Sequence, residues 1–117
     1  METELTTLEF ERLVEDAIAS VPDPLAGFMS NVGVIIDEQA PPWQSVLGLY
    51  QGIPLTRRGT NYTGALPDKI TIFRRPIERV YGTDPDRLRD GVRHVVVHEI
   101  AHHFGISDER LRELGAY

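Results

Sequence analysis

His98-Glu99-Ile100-Ala101-His102-His103-Phe104-Gly105-Ile106-Ser107-Asp108 is the stretch that decides the fold. It reads H-E-x-x-H-x-x-G-x-x-D. Residues four apart on a helix lie one above the other on the same face, so His98 and His102 can offer two neutral imidazoles to one metal ion. Zn2+ suits that pair; it ordinarily takes a third protein ligand and keeps a water whose pKa falls to about 7. Glu99 is then placed to take a proton from that water. Gly105 suits the left-handed backbone that ends helices, because it has no Cβ to clash. The chain can therefore turn back and bring Asp108 in as the third ligand, a carboxylate being an ordinary zinc donor.

Two other histidines compete for a place in this site. His94, His98 and His102 form an i, i+4, i+8 stripe, but at about 1.5 Å rise per residue the outer two sit roughly 12 Å apart, so the three cannot share one ion. His94 could replace Asp108 only by leaving His102 unused. His103 points roughly 100° away from His102. Both read as packing residues or as groups behind the ligands. The bland alternative is two surface histidines with a solvated glutamate, Asp108 after Ser107 merely favouring the start of a last helix. Against it stand Leu88, Val92, Val95, Val96, Val97, Ile100, Ala101 and Phe104, which cover most directions around the same helix. An element apolar on several sides is buried on several sides. Imidazoles in such a place need partners, because a buried unsatisfied polar group costs on the order of 1–3 kcal/mol.

Outward from the motif, Asp84-Pro85 supplies an N-cap with proline at the first helical position. The motif helix therefore spans Pro85 to Phe104, roughly 30 Å long. Gly91 within it weakens the helix slightly and permits close packing. Pro76 to Tyr81 reads as a short connector before it, and Asp108 to Leu114 as a last short helix. At the other end, Thr6 with Glu9 makes a capping box and Leu5 with Phe10 a hydrophobic staple. Phe10, Leu13, Val14, Ala17 and Ile18 recur at helical spacing until Val21-Pro22 ends the run. Leu25 to Ser30 suits a short helical turn. Val32 to Ile36 is an apolar, β-branched run, expected to be a strand central in the sheet. Val46 to Tyr50 reads as a second strand, with a loop or wide hairpin following through Gly52, Pro54 and Arg57 to Asn61. Lys69 to Arg74 is a third strand whose charged ends and following Arg75-Pro76 suit an edge. Its Ile70, Thr71, Ile72 and Phe73 are thus expected to bind an extended peptide through main-chain hydrogen bonds, the alternative being a solvated edge with no ligand. Trp43 carries no assignment.

With 117 residues, 41% of them hydrophobic, the chain is expected to be one α+β domain, residues 1–117, with a core of ordinary size. A net charge of −6 argues against a phosphate backbone as partner, since nucleic-acid binders carry a basic face. Cysteine is absent, which excludes disulfides and thiolate ligands. The acidic start Met1-Glu2-Thr3-Glu4 is followed by no apolar h-region or membrane-length run. The expectation is a cytoplasmic protein that needs neither membrane nor nucleic acid.

The motif helix, together with Leu47-Gly48-Leu49-Tyr50-Gln51-Gly52-Ile53-Pro54-Leu55-Thr56 and Leu66-Pro67-Asp68-Lys69-Ile70, resembles small bacterial zincin-like metallopeptidases, the minimal zincins. The resemblance covers most of the chain. It implies a reduced zincin-like fold: a small twisted β-sheet packed on a central H-E-x-x-H active-site helix, with a helix after the motif. It further implies zinc held by His98, His102 and Asp108, with Glu99 as catalytic glutamate. The pattern is also similar to that of secreted bacterial zinc proteases with aspartate as third ligand. It departs from metzincins, whose methionine turn follows the third ligand: here Met1 and Met29 both precede the motif.

The function expected from these readings is zinc-dependent hydrolysis of peptide bonds in a peptide or protein substrate. Tyr50, Tyr62, His103 and Tyr117 are the candidates for steadying an oxyanion. The alternative is a catalytically weak or inactive module in which zinc staples the core and an edge strand binds a peptide or protein. The nine residues after Asp108 leave little for a lower substrate wall, which favours that alternative. Glu99 favours the enzyme, because a staple needs no carboxylate there.

Overall fold

Helix formation in this chain starts at its caps. The computed structural model describes residues 5–23, 25–30, 32–52 and 68–116. Helix α1, Thr7–Ala19, has Thr6 as N-cap: its hydroxyl accepts from the Glu9 N–H at 3.1 Å, and the Glu9 carboxylate accepts from the Thr6 N–H at 3.0 Å. This reciprocal box satisfies two of the N–H groups that a helix start leaves over. Phe10, Leu13, Val14 and Ala17 are buried on the inner face, and Leu5 packs against the same core. Helix α2 is one turn, Leu25–Phe28.

Three strands follow: β1, Val32–Asp37; β2, Gly48–Gln51; and β3, Asp68–Phe73. Their order is β1-β3-β2. β1 runs parallel to β3, with Val34 opposite Ile70 and Ile36 opposite Ile72. β2 runs antiparallel to β3, with Leu49 opposite Thr71 and Tyr50 opposite Ile70. This corrects two expectations. β1 lies at the side of the described sheet, not at its centre. β3 lies in the middle and not at an edge, and Ile70, Thr71, Ile72 and Phe73 are buried. With neighbours on both sides, β3 has no open ladder for a peptide to join, so those four residues are core and not a peptide-binding edge. β2 also begins two residues later than its hydrophobic run suggested.

A second correction concerns the stretch after β3. Helix α3, Arg74–Tyr81, replaces the expected connector. Pro76 is tolerated because it stands in the first turn, where its missing N–H has no intrahelical duty. Glu78 sits within reach of two arginines: its Oε2 is 3.4 Å from Arg74 Nε and its Oε1 2.9 Å from Arg75 Nη1. Arg74, only 2% exposed, also donates to the Leu5 carbonyl and lies 5.0 Å over the Phe10 ring. Its buried charge is thus paired, hydrogen-bonded and stacked.

Helix α4, Pro85–Phe104, keeps its expected bounds. The Asp84 carboxylate accepts from the Arg87 N–H at 3.1 Å, and Gly105 ends the helix at φ 70°, where a Cβ would be strained. Leu88, Val92, Val95, Val96 and Ile100 share one core with α1, Ile70, Ile72 and Ile77. Val97 and Ala101 enter a second core with Val21, Leu25 and Leu111. Each larger side chain contributes about 1.5–3 kcal/mol of gross burial, so α4 is held from two sides. A Cβ on Gly91 would stand 2.5 Å from two ring carbons of Tyr81, which shows the close packing that this glycine permits. Helix α5, Asp108–Glu113, closes the described chain, with the Ser107 hydroxyl accepting from the Arg110 N–H at 3.1 Å.

Candidate metal centre

Burial on two sides leaves α4 one polar stripe and one shoulder facing β2. On the stripe, the His94 and His98 ring centroids lie 4.1 Å apart and those of His98 and His102 6.4 Å. The Nε2 of His98 is buried, so whatever that nitrogen binds lies within the protein wall and not in bulk water. His102 is exposed. Asp108 is the first residue of α5, and Ser107, not Asp108, is the cap. The Asp108 carboxylate nonetheless acts on this stripe. Burial pushes the His94 pKa down, the neighbouring His98 and Arg93 add to the effect, and the charge of Asp108 opposes it.

Among the described residues, no three histidine, aspartate or glutamate side chains converge closely enough to grip one ion. The structure thus brings His98 beside His94 and His102, and puts Asp108 within electrostatic range of His94, without closing a ligand set. The donor types still fit zinc. Two imidazoles at i, i+4 and a carboxylate at the next helix start are a two-nitrogen, one-oxygen set of the kind that catalytic zinc takes.

Glu99 occupies the shoulder, half-buried between α4 and β2. Burial pushes its pKa up; the charges of His102 and His98 and the nearby Tyr50 backbone N–H pull it back. The sheet register sets the direction of that amide. The Phe73 N–H donates to the Leu47 carbonyl at 3.0 Å, and hydrogen-bonded pairs alternate along an antiparallel ladder. Leu47, Leu49 and Gln51 therefore bond to β3, while Gly48 and Tyr50 direct their N–H and C=O groups away from it.

β2 approaches α4 through its glycines. A Cβ on Gly48 would lie 2.7 Å from Val95 Cγ1 and 3.7 Å from Glu99 Cγ, and one on Gly52 would lie 2.8 Å from His103 Cε1. Between them the Tyr50 ring stacks on His103 at 3.9 Å, and its hydroxyl donates to Asp68 Oδ2 at 2.7 Å. Of the tyrosines and histidine considered for an oxyanion, Tyr50 has its hydroxyl engaged by Asp68, His103 is packed on Tyr50, and Tyr62 and Tyr117 lie outside the described residues. The expected loop over 53–61 lies outside them as well. The role of β2 was missed by sequence reasoning; glycines on either side of Tyr50 were its signal, since glycine in a strand often marks close backbone approach.

A small α+β protein with a three-stranded mixed sheet and its two histidines and glutamate on the longest helix is of a kind compatible with zincins. The family profile described as zincin-like metallopeptidase matches residues 29–116, and the chain belongs to that family. No curated protein matched the sequence. Among the described residues no helix is long and apolar enough to cross a membrane.

Proposed function

We propose that the protein is a zinc peptidase in which His98, His102 and Asp108 hold the metal and Glu99 is the general base. The observation that carries this reading is the position of Glu99: one residue from His98, half-buried against β2, with burial favouring its protonated form. A carboxyl group whose pKa is raised towards the working pH is suited both to take and to return a proton. When bound, zinc would supply Lewis-acid polarisation and a water of lowered pKa. Glu99 takes the proton from the attacking water and hands it to the departing amine.

A second reading is a zinc-stabilised peptide-binding module with little or no hydrolysis. Turnover of a random peptide library by the zinc-loaded protein separates the two. The enzyme reading expects cleavage that falls by about two orders of magnitude or more in Glu99→Gln while zinc is retained; equal cleavage in the variant would remove Glu99 from the mechanism.

A further inference from the structure

Arg87, Gly91 and His94 carry the histidine stripe back towards the start of α4: at 3.6 residues per turn all three fall within about 40° of the direction of His98. Gly91 leaves a gap in that line. A Cβ there would stand 2.5 Å from two carbons of the Tyr81 ring, and beside the glycine opens a cavity of about 670 Å3 whose lining includes Tyr81, Arg87, Asp90, Arg93 and His94. That is an ordinary volume for a ligand site. In a chain of net charge −6, the cavity sets two arginines against one aspartate. The aspartate is already shared: Asp90 Oδ1 lies 3.9 Å from both Arg89 Nε and Arg93 Nη2. Arg89, outside the cavity, also has Asp86 at 3.6 Å. Among the described residues Arg87 has no carboxylate within ion-pair distance.

We propose that this cavity binds a carboxylate and that Arg87 is the cation that receives it. A guanidinium presents parallel N–H groups that match the two oxygens of a carboxylate, and Arg93 adds positive charge to the same cavity. The proposal rests on the peptidase reading for what carries the carboxylate, and adds a substrate class to it: peptides with a negative group, supplied by an aspartate or glutamate side chain or by a free chain end. Arg87 stands about 16 Å from His98 along the helix axis, which an extended peptide covers in about five residues. The carboxylate is therefore expected within about five residues of the bond to be cut.

The test uses the full chain in chelator at low salt, where peptide is not cleaved and charge is least screened. The probes are capped hexapeptides of alanine and serine with a single glutamate moved through the sequence, their glutamine counterparts, and the glutamine peptides with a free carboxyl end. A carboxylate-bearing probe is expected to bind about fivefold more tightly than its neutral counterpart, the upper value for one exposed ion pair. Arg87→Gln should abolish that preference and Arg87→Glu reverse it. Arg89→Gln removes the same charge from the same helix outside the cavity, so it should leave the preference intact. A gain confined to the glutamate probes assigns the group to a side chain, and one confined to the free acids assigns it to the chain end; either supports the site. No preference in wild type, no binding of any probe, or equal loss in Arg87→Gln and Arg89→Gln overturns the proposal. Failure of the peptidase reading would show elsewhere, in absent zinc uptake or in Glu99→Gln turnover, neither of which the binding measurement uses.

Discussion

Arg74 and the α4 histidine stripe are two places where polar chemistry enters the same small protein, and they are closed in different ways. Arg74 is met inside the fold by the Glu78 carboxylate, the Leu5 carbonyl and the Phe10 face. Along α4, imidazole faces imidazole at 4.1 Å between His94 and His98, with Glu99 and Asp108 acting on the stripe by their charge. The first cluster is complete in positive and negative charge. The second sets imidazoles side by side on one helix face without closing a ligand set among the described residues. A buried charge paired by its own chain is architecture; the proposed role of the α4 stripe as a ligand site is what the measurements below test.

The largest expected effect breaks the closed cluster. Arg74→Ala removes the inner partner of Glu78, which keeps Arg75 at 2.9 Å, together with the hydrogen bond to Leu5 and the stacking on Phe10, and should destabilise by about 3 kcal/mol in denaturant unfolding. The double variant Arg74→Met with Glu78→Leu should recover much of that loss. If Arg74→Ala costs nothing, the closed cluster does not stabilise the fold.

Next in size is the effect of zinc on the open cluster. Zinc at a hundred times its dissociation constant should stabilise wild type by about 2.7 kcal/mol, and His98→Ala should remove that gain. Asp108→Ala distinguishes ligand from helix start. As a ligand, Asp108 gives a stability gap that collapses in chelator; as a first-turn acid it gives a gap of about 0.3–1 kcal/mol that persists without metal.

The contact between β2 and α4 is expected to be worth somewhat less. Gly48→Ala places a Cβ 2.7 Å from Val95 Cγ1 and 3.3 Å from the Thr71 carbonyl, and overpacking of this kind costs about 1–3 kcal/mol. Because the same Cβ comes within 3.7 Å of Glu99 Cγ, the variant should also lose hydrolysis out of proportion to its stability. Thermal unfolding and turnover measured on one sample separate the two losses.

How much of this contrast was legible in the sequence differs from element to element. The bounds of α4 were legible because its signals are local: Asp84-Pro85 before it and Gly105 after it act through their own backbone. The same holds for Thr6 and Glu9 at α1. Strand order was not legible, because Val32–Asp37 and Asp68–Phe73 are both apolar runs and which one takes the centre is settled by the chain's crossover. Helix α3 was hidden by Arg74-Arg75-Pro76, which looks like a break. Its countersignal was Glu78 at i+4 and i+3 from the two arginines, a helix-supporting spacing. In the candidate site, His98, Glu99 and His102 are proposed from spacing alone, whereas the packing of Tyr50 on His103 depends on the placement of β2 and on two glycines.

The smallest expected effect lies far from both clusters and serves as their control. Glu9, exposed in the α1 capping box, has its pKa held below 4.5, first by the Thr6 backbone N–H and then by the Thr6 hydroxyl. Because the folded value is depressed, its stabilisation is fully present above the unfolded pKa and is lost as pH falls through the folded one. Wild type and Glu9→Gln should therefore differ in stability near neutral pH and converge in acid. A difference that persists unchanged at low pH would contradict the reciprocal cap.

The central claim, that the α4 stripe is a metal site, is tested most directly by the zinc bound per chain at neutral pH in wild type and His98→Ala. The expected result is about one equivalent in wild type and none retained in the variant after dialysis. No uptake by wild type, or equal uptake by both, would contradict it.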